Sequence, residues 1–266
     1  MKVIFRRFVL IIVPVALGLG FLPTLIFASA PSETSPSEHK NQGPEVVGAF
    51  GVVPGRDLYV HVLVEVPAGR GKAEVVREAL SHQGARPLTE NFTTTGLVWN
   101  QFKDGDPGNN FVTQFYNPAN QPLSGAGTAL RNSRATWTNV TTSNFAFASG
   151  GTTSRCPSMV RECRGPQVYD GSNDVGWLAL GGCCTLGVTW YSTTRDEADM
   201  VLNTKFPWST TGGKYDLETV FLHENGHVAG LGHSSVVAAV MYNSYQGIRR
   251  VLHTDDINGI TALYPQ

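Results

Sequence analysis

His223-Glu224-Asn225-Gly226-His227-Val228-Ala229-Gly230-Leu231-Gly232-His233 is the stretch on which the reading of this chain turns. On an α-helix, residues i and i+4 share a face, so His223 and His227 present both imidazoles to one ion. Glu224, beside the first ligand, reaches a water polarised by that ion without ligating it and acts as general base. Gly230 comes three residues after the second His, and a residue without Cβ lets the helix end there in a left-handed turn. The chain then swings round and brings His233 to the same metal. Three neutral imidazoles leave a fourth position open, the pattern of a catalytic zinc rather than a closed structural one. Such an ion lowers the pKa of a bound water to roughly 7 and polarises a carbonyl. A bare HExxH also arises as an amphipathic helix with two surface histidines; the added Gly and third His argue against that alternative.

Outward from this segment, Asp216 has the character of an N-cap, and the helix it starts carries Leu217, Val220, Phe221, Val228 and Leu231 on its apolar side. A last helix starts near Thr254, whose side chain can cap it, and buries Ile257, Ile260 and Leu263. Upstream, from about Phe92, Phe111–Tyr116 alternates like a half-buried strand, Gly127–Val140 reads as a helix, and Asn144–Ala148 as a short strand. Val175–Leu180, Gly187–Ser192 and Ala198–Asn203 are further strand candidates. The expected class is α+β, a twisted mixed sheet with three helices.

The N-terminus carries Lys2, Arg6 and Arg7 before the charge-free apolar run Phe8–Phe27 and the small residues Ala28-Ser29-Ala30. This is the pattern of a signal peptide over 1–30 and of a secreted, extracellular protein without stable membrane association once the segment is cleaved. Pro31 is a poor residue after that cut, which leaves a retained anchor open. Residues 31–46 read as a Pro/Ser-rich linker. Residues 47–90 contain a strand-like run, Asp57–Val66, and a helix-spaced segment, Lys72–His82. One β-α unit cannot bury a core alone, so it is a pro-segment or an accessory unit packed on the main domain, residues 91–266. Net charge is −1, about −4 without the first thirty residues, and no basic stripe suits nucleic acid.

Cys156, Cys163, Cys183 and Cys184 form an even set within 29 residues on an exported chain, which indicates two disulfides. A bond between neighbours 183 and 184 would be strained, so each is expected to pair with one of Cys156 and Cys163. His39, His61 and His82 precede the main domain and are expected at the surface.

These residues resemble the metzincins, and within them the matrixins. Ser234 follows the third His, as is usual in matrixins. Ala239-Val240-Met241-Tyr242, with Met241 eight residues past His233, is similar to the Met-turn, whose Met packs beneath the metal. Leu252–Ile260, ending in Leu263-Tyr264-Pro265, is similar to the C-terminal helix of that family, and the likeness extends more loosely back to Val112. The resemblance implies a zinc metalloendopeptidase with one catalytic ion, acting as a monomer on extended polypeptides. It implies a pocket wall at Tyr242, Asn243, Ser244 and Tyr245, and an edge strand that pairs with substrate. The alternative is a catalytically silent zinc- or peptide-binding module on the same scaffold. Two departures stand out. No Cys precedes Cys156, so the family's cysteine switch is missing, and the 23 residues between Asp199 and His223 contain no His for a second zinc. Calcium has no clear motif: Asp170, Asp174, Asp196 and Asp199 could supply oxygens, but scattered loop carboxylates are more often solvated.

Overall fold

The computed structural model describes residues 44–88, 97–104, 106–163 and 169–266. The readings of 1–30 as a signal peptide and of most of the linker lie outside these residues. Residues 42–266 form one compact unit. Among the described residues, no helix is long and apolar enough to cross a membrane.

The expected α+β architecture is present, but its sheet is larger than expected. Strands β1 (Glu45–Val52), β2 (Leu58–Val66), β3 (Arg86–Pro87), β4 (Val112–Tyr116), β5 (Phe147–Thr152), β6 (Asn173–Leu178), β7 (Thr185–Ser192) and β8 (Ala198–Asn203) form one eight-stranded sheet. Its order is β3-β1-β2-β7-β8-β6-β4-β5. Strands β4, β5, β6 and β8 run parallel to their neighbours within that group, whereas β1, β2, β7 and β8 pair antiparallel in succession. A short second ladder joins β9 (Trp208–Ser209) to β10 (Tyr215–Asp216). The α-helices among the described residues are α1 (Lys72–His82), α2 (Ala126–Thr138), α3 (Leu217–Ala229) and α4 (Thr254–Leu263). The three helices expected of the main domain are joined by α1, at the helix-spaced segment of the N-terminal unit.

The sheet corrects one boundary and shows where the N-terminal unit packs. Glu45 and Val46, assigned to the linker, open β1. The β-α unit packs on the main domain, where β2 hydrogen-bonds along β7 from Leu58↔Ser192 to Val64↔Thr185. Strand alternation sorts β2 onto two faces. Leu58, Val60, Val62 and Val64 pack with Val75, Ala79 and Leu80 of α1 in one core. Tyr59, His61 and Leu63 point to the opposite face, where Leu63 joins the core that α2 and α3 share. A strand buried on both faces reads as a continuous apolar run, as β2 does.

The helix ends also show local causes. Asp216 caps α3 as expected, its Oδ1 accepting from the Thr219 amide at 3.0 Å. The last helix departs from expectation: its cap is His253, not Thr254. His253 Nδ1 accepts from the Asp255 amide, and the Asp256 carboxylate accepts from the His253 amide. The structure pairs Cys156 with Cys163 and Cys183 with Cys184, so the expected cross-pairing does not form. Cys156 and Cys163 are already at an ordinary bridging separation, Cα–Cα 5.8 Å, across one tight turn. Cys184 adopts φ +82°, which turns the neighbouring pair together.

Because β2 hydrogen-bonds along β7 and packs on α1, loosening its packing should destabilise the intact chain. Leu58→Ala is expected to cost about 2–5 kcal/mol and to lower a single cooperative unfolding transition by calorimetry. A hairpin merely appended to the surface would leave that transition in place.

Candidate metal centre

Every residue of helix α3 except Glu218 is buried, and its C-terminal carbonyls are covered by three side chains from different parts of the chain. Buried Arg195 donates Nη1 to the carbonyls of His227 (2.8 Å) and Val228 (3.0 Å). Trp99 Nε1 donates to Val228 O, and Tyr264 Oη to Ala229 O, each at 2.7 Å. A helix C-terminus leaves acceptors unsatisfied and carries partial negative charge, so a guanidinium and two neutral donors suit it. Gly230 then stops the helix at φ +110°, as the sequence predicts, and a Cβ there would meet Leu97 O at 2.5 Å. That turn carries His233 back toward His223 and His227.

The imidazoles are held in one tautomer. His223 Nδ1 donates to Val240 O at 2.8 Å, and His227 Nδ1 donates to Leu231 O at 2.9 Å. Since a carbonyl only accepts, each Nδ1 keeps the proton and each Nε2 carries a lone pair. Those two Nε2 atoms lie 3.0 Å apart. Two lone pairs facing each other at that distance repel unless a cation sits between them. Burial, followed by repulsion from neighbouring imidazoles, pushes His227 and His233 well below the ordinary imidazole pKa; burial also lowers His223. Neutral, pre-aimed imidazoles are what a metal ion requires. Nitrogens about 2.0–2.1 Å from a tetrahedral zinc lie about 3.3 Å from one another, close to the spacings here. The donor set fits the ion.

A fourth imidazole joins them, and the sequence reading missed it. His61, expected at the surface, is fully buried, and its Nε2 is 3.2 Å from His233 Nε2. Ligand atoms of His61, His223, His227 and His233 all lie within 4.8 Å of one another. His61 Nδ1 donates to Glu224 Oε2 at 3.0 Å, and Thr189 Oγ1 donates to the same oxygen at 2.5 Å. Burial raises the Glu224 pKa, but His61 and the neighbouring donors outweigh it and hold the carboxylate below its usual range. The pairing His61↔Thr189 in the β2–β7 ladder sets both groups on one face above Glu224. A signal for this was present: Leu58–Val66 is apolar on both alternating faces around His61, so its imidazole had no solvent face to occupy. Of the other two histidines expected at the surface, His82 is half-buried, 3.2 Å from Glu162, and His39 lies outside the described residues.

Met241 packs against the ligand helix. A Cβ on Gly226 would meet Met241 Sδ at 2.2 Å and Trp137 Cζ2 at 2.9 Å, so a glycine there admits both side chains. The Met-turn backbone is fixed by Asp256, whose carboxylate accepts from the Val240 amide (2.9 Å) and the Met241 amide (3.0 Å). Ser234 ties the loop that carries His233 to the same region, through its amide to Met241 O (2.8 Å) and its hydroxyl to Asp255 (2.6 Å). Beside the metal centre is a pocket lined by Val220, His223, Val240, Tyr242, Tyr245 and, from β2, Leu63. Ser244 also lines it; Asn243 contributes its carbonyl, which accepts from the Gly48 amide at 2.9 Å. The four acidic candidates for calcium all have protein partners. Asp174 pairs with Arg155, Asp199 accepts from the Met159 and Asp174 amides, Asp196 takes the Ser192 and Thr194 hydroxyls, and Asp170 takes the Ser172 amide.

Comparison with known proteins agrees with this arrangement. The family description "Matrixin" matches residues 121–265, more than half of the chain. The chain belongs to the matrixin family. Interstitial collagenase of Equus caballus is 31% identical over 145 residues, 54% of this chain and 29% of that protein. Metalloendoproteinase 2-MMP of Arabidopsis thaliana is 28% identical over 215 residues, 73% of this chain and 54% of that one. Karilysin of Tannerella forsythia is 47% identical over 57 residues, 21% of this chain and 12% of its own. The chain thus spans from about an eighth to about half of the length of these relatives.

The Asp256 carboxylate reaches His223 only through the Val240 backbone, which makes it a tuning group rather than a ligand. Asp256→Ala is expected to weaken metal affinity about 10- to 100-fold in competition against a chelator. An unchanged affinity would show that the Val240 carbonyl holds His223 without help.

Proposed function

We propose that this matrixin is a secreted zinc-dependent endopeptidase acting on extended polypeptides outside the cell. The observation that carries the reading is the pair of carbonyl-locked imidazoles, His223 and His227, whose lone pairs converge with that of His233 beside a buried carboxylate. His223, His227 and His233 would hold the ion, through Nε2 in the two whose tautomer is fixed. A bound zinc supplies Lewis acidity to the scissile carbonyl and to a water. Glu224 takes the proton from that water and returns it to the leaving amine. Thr189 orients the Glu224 carboxylate from β7. The pocket beside His223, walled by Tyr242, Ser244 and Tyr245, takes the substrate side chain just past the scissile bond. Its lining of Val220, Val240 and aromatic rings favours an apolar residue there. β7 is the strand whose edge would receive an extended peptide by strand addition. The names of the relatives, a collagenase and a metalloendoproteinase, support peptide-bond hydrolysis as the class of reaction.

The test uses the full chain and its limited-proteolysis products side by side with casein. Cleavage is expected to vanish with a chelator, return with zinc, and fall about 100- to 10,000-fold in Glu224→Gln. Stoichiometric zinc without turnover in any of these forms would instead establish the silent binding module.

A further inference from the structure

We infer that the β1–β2 hairpin is a built-in occupant of the substrate cleft, with His61 as a fourth ligand to the metal, so that the intact chain is latent. This rests on the function proposed above and names the regulation of that same site. Four placements carry it. β2 runs antiparallel along β7 from Leu58 to Val64 and takes up the hydrogen-bonding edge that an extended substrate would need. Leu63, two residues beyond His61, lines the pocket with Tyr242 and Tyr245. β1 holds the other wall: Val46 O accepts from the Tyr245 amide (2.9 Å) and the Ser244 hydroxyl (2.8 Å), and the Gly48 amide donates to Asn243 O. His61 Nε2 lies among the ligand nitrogens, while its Nδ1 proton is given to Glu224.

This last arrangement is a carboxylate–histidine–metal relay, in which the carboxylate fixes the tautomer and raises the basicity of the ligand. It uses the general base to hold its own inhibitor. The hairpin also fits over the centre with no spare room. A Cβ on Gly48 would lie 2.5 Å from His61 Nε2 and 2.7 Å from His233 Nε2, and the Phe50 ring packs within 5.0 Å of the His61, His227 and His233 rings. No cysteine precedes Cys156, so a thiolate from the N-terminal segment has no part in this device. Release of the hairpin would free the fourth position, Glu224, the pocket and the β7 edge together.

Two measurements on the zinc-loaded full chain test the inference. X-ray absorption should count four imidazole nitrogens and no solvent oxygen, and His61→Ala or the size-conserving His61→Gln should count three nitrogens plus solvent. Three imidazoles and a solvent ligand in the intact chain would overturn the inference, and so would an unchanged count in both variants. In the second, a specific protease site is placed at residues 91–95 and cut, and the N-terminal fragment is separated. Casein cleavage should rise at least about tenfold over the intact chain, and a peptide of residues 58–66 should suppress it, its His61→Ala version at least about tenfold less well. An intact chain as active as the cut one overturns the inference. A chain that binds no zinc defeats the proposed function instead, and activity absent from both forms with a four-nitrogen site supports the silent module.

Discussion

Two imidazole nitrogens whose protons have been assigned elsewhere face each other across 3.0 Å, and most of the surrounding structure serves to keep them there. His223 and His227 have their tautomers fixed by backbone carbonyls, so neither can relieve the contact by donating to the other. The two carbonyls come from opposite directions. That of Leu231 is set by the left-handed turn at Gly230, and that of Val240 by a Met-turn whose amides are bound to Asp256. The helix is pinned at the far end of its ligand pair by Arg195, Trp99 and Tyr264. Segments from residue 99 to residue 264 thus converge on one requirement: neutral nitrogens, lone pairs inward, in an interior that disfavours protonating them.

The second constraint belongs to the sheet. Glu224 is fully buried, and a carboxylate there must find donors or lose its charge. It finds Thr189 and His61, which face it because the register of β2 against β7 sets them opposite each other. A slip of one residue in that register would turn His61 to the far face, toward α1, and leave Glu224 with Thr189 as its remaining side-chain donor. Sheet register and acid–base chemistry are thereby the same variable in this molecule.

How much of this the sequence discloses depends on range. The ligand helix, its Asp216 cap, its Gly230 stop and the trio of histidines are encoded within neighbouring residues, and all lie where the spacing puts them. Helix α1 is legible to the residue for the same reason. β1 is not, because Gly48 and Gly51 dilute the strand pattern, and only the close approach to His61 and to Leu80 explains why glycine stands there. His61 is not legible in this way because 163 residues separate it from the carboxylate that binds it, and a lone imidazole carries no spacing of its own. The cysteines fail in a different way: the preference against bonding neighbours is sound on average, yet backbone conformation at Cys184 overrides it.

Under the function and latency proposed above, a hairpin lying in the cleft raises the question of why it would escape cleavage. A substrate on β7 would present a carbonyl to the metal and leave Glu224 free to move a proton. β2 presents a side chain instead: the His61 ring stands between Glu224 and the converging Nε2 atoms, with its proton committed to the carboxylate. The carboxylate is then an acceptor already engaged. Gly48 completes the arrangement from β1, since any larger residue would press on that ring. An imidazole thus achieves what a thiolate could, but with a difference in kind. A thiolate brings negative charge to the ion and needs no partner, whereas a neutral His61 owes its aim to Glu224. Under the proposed latency, substrate and occupant compete for one carboxylate as well as for one strand edge, and the hairpin gives up both when it leaves.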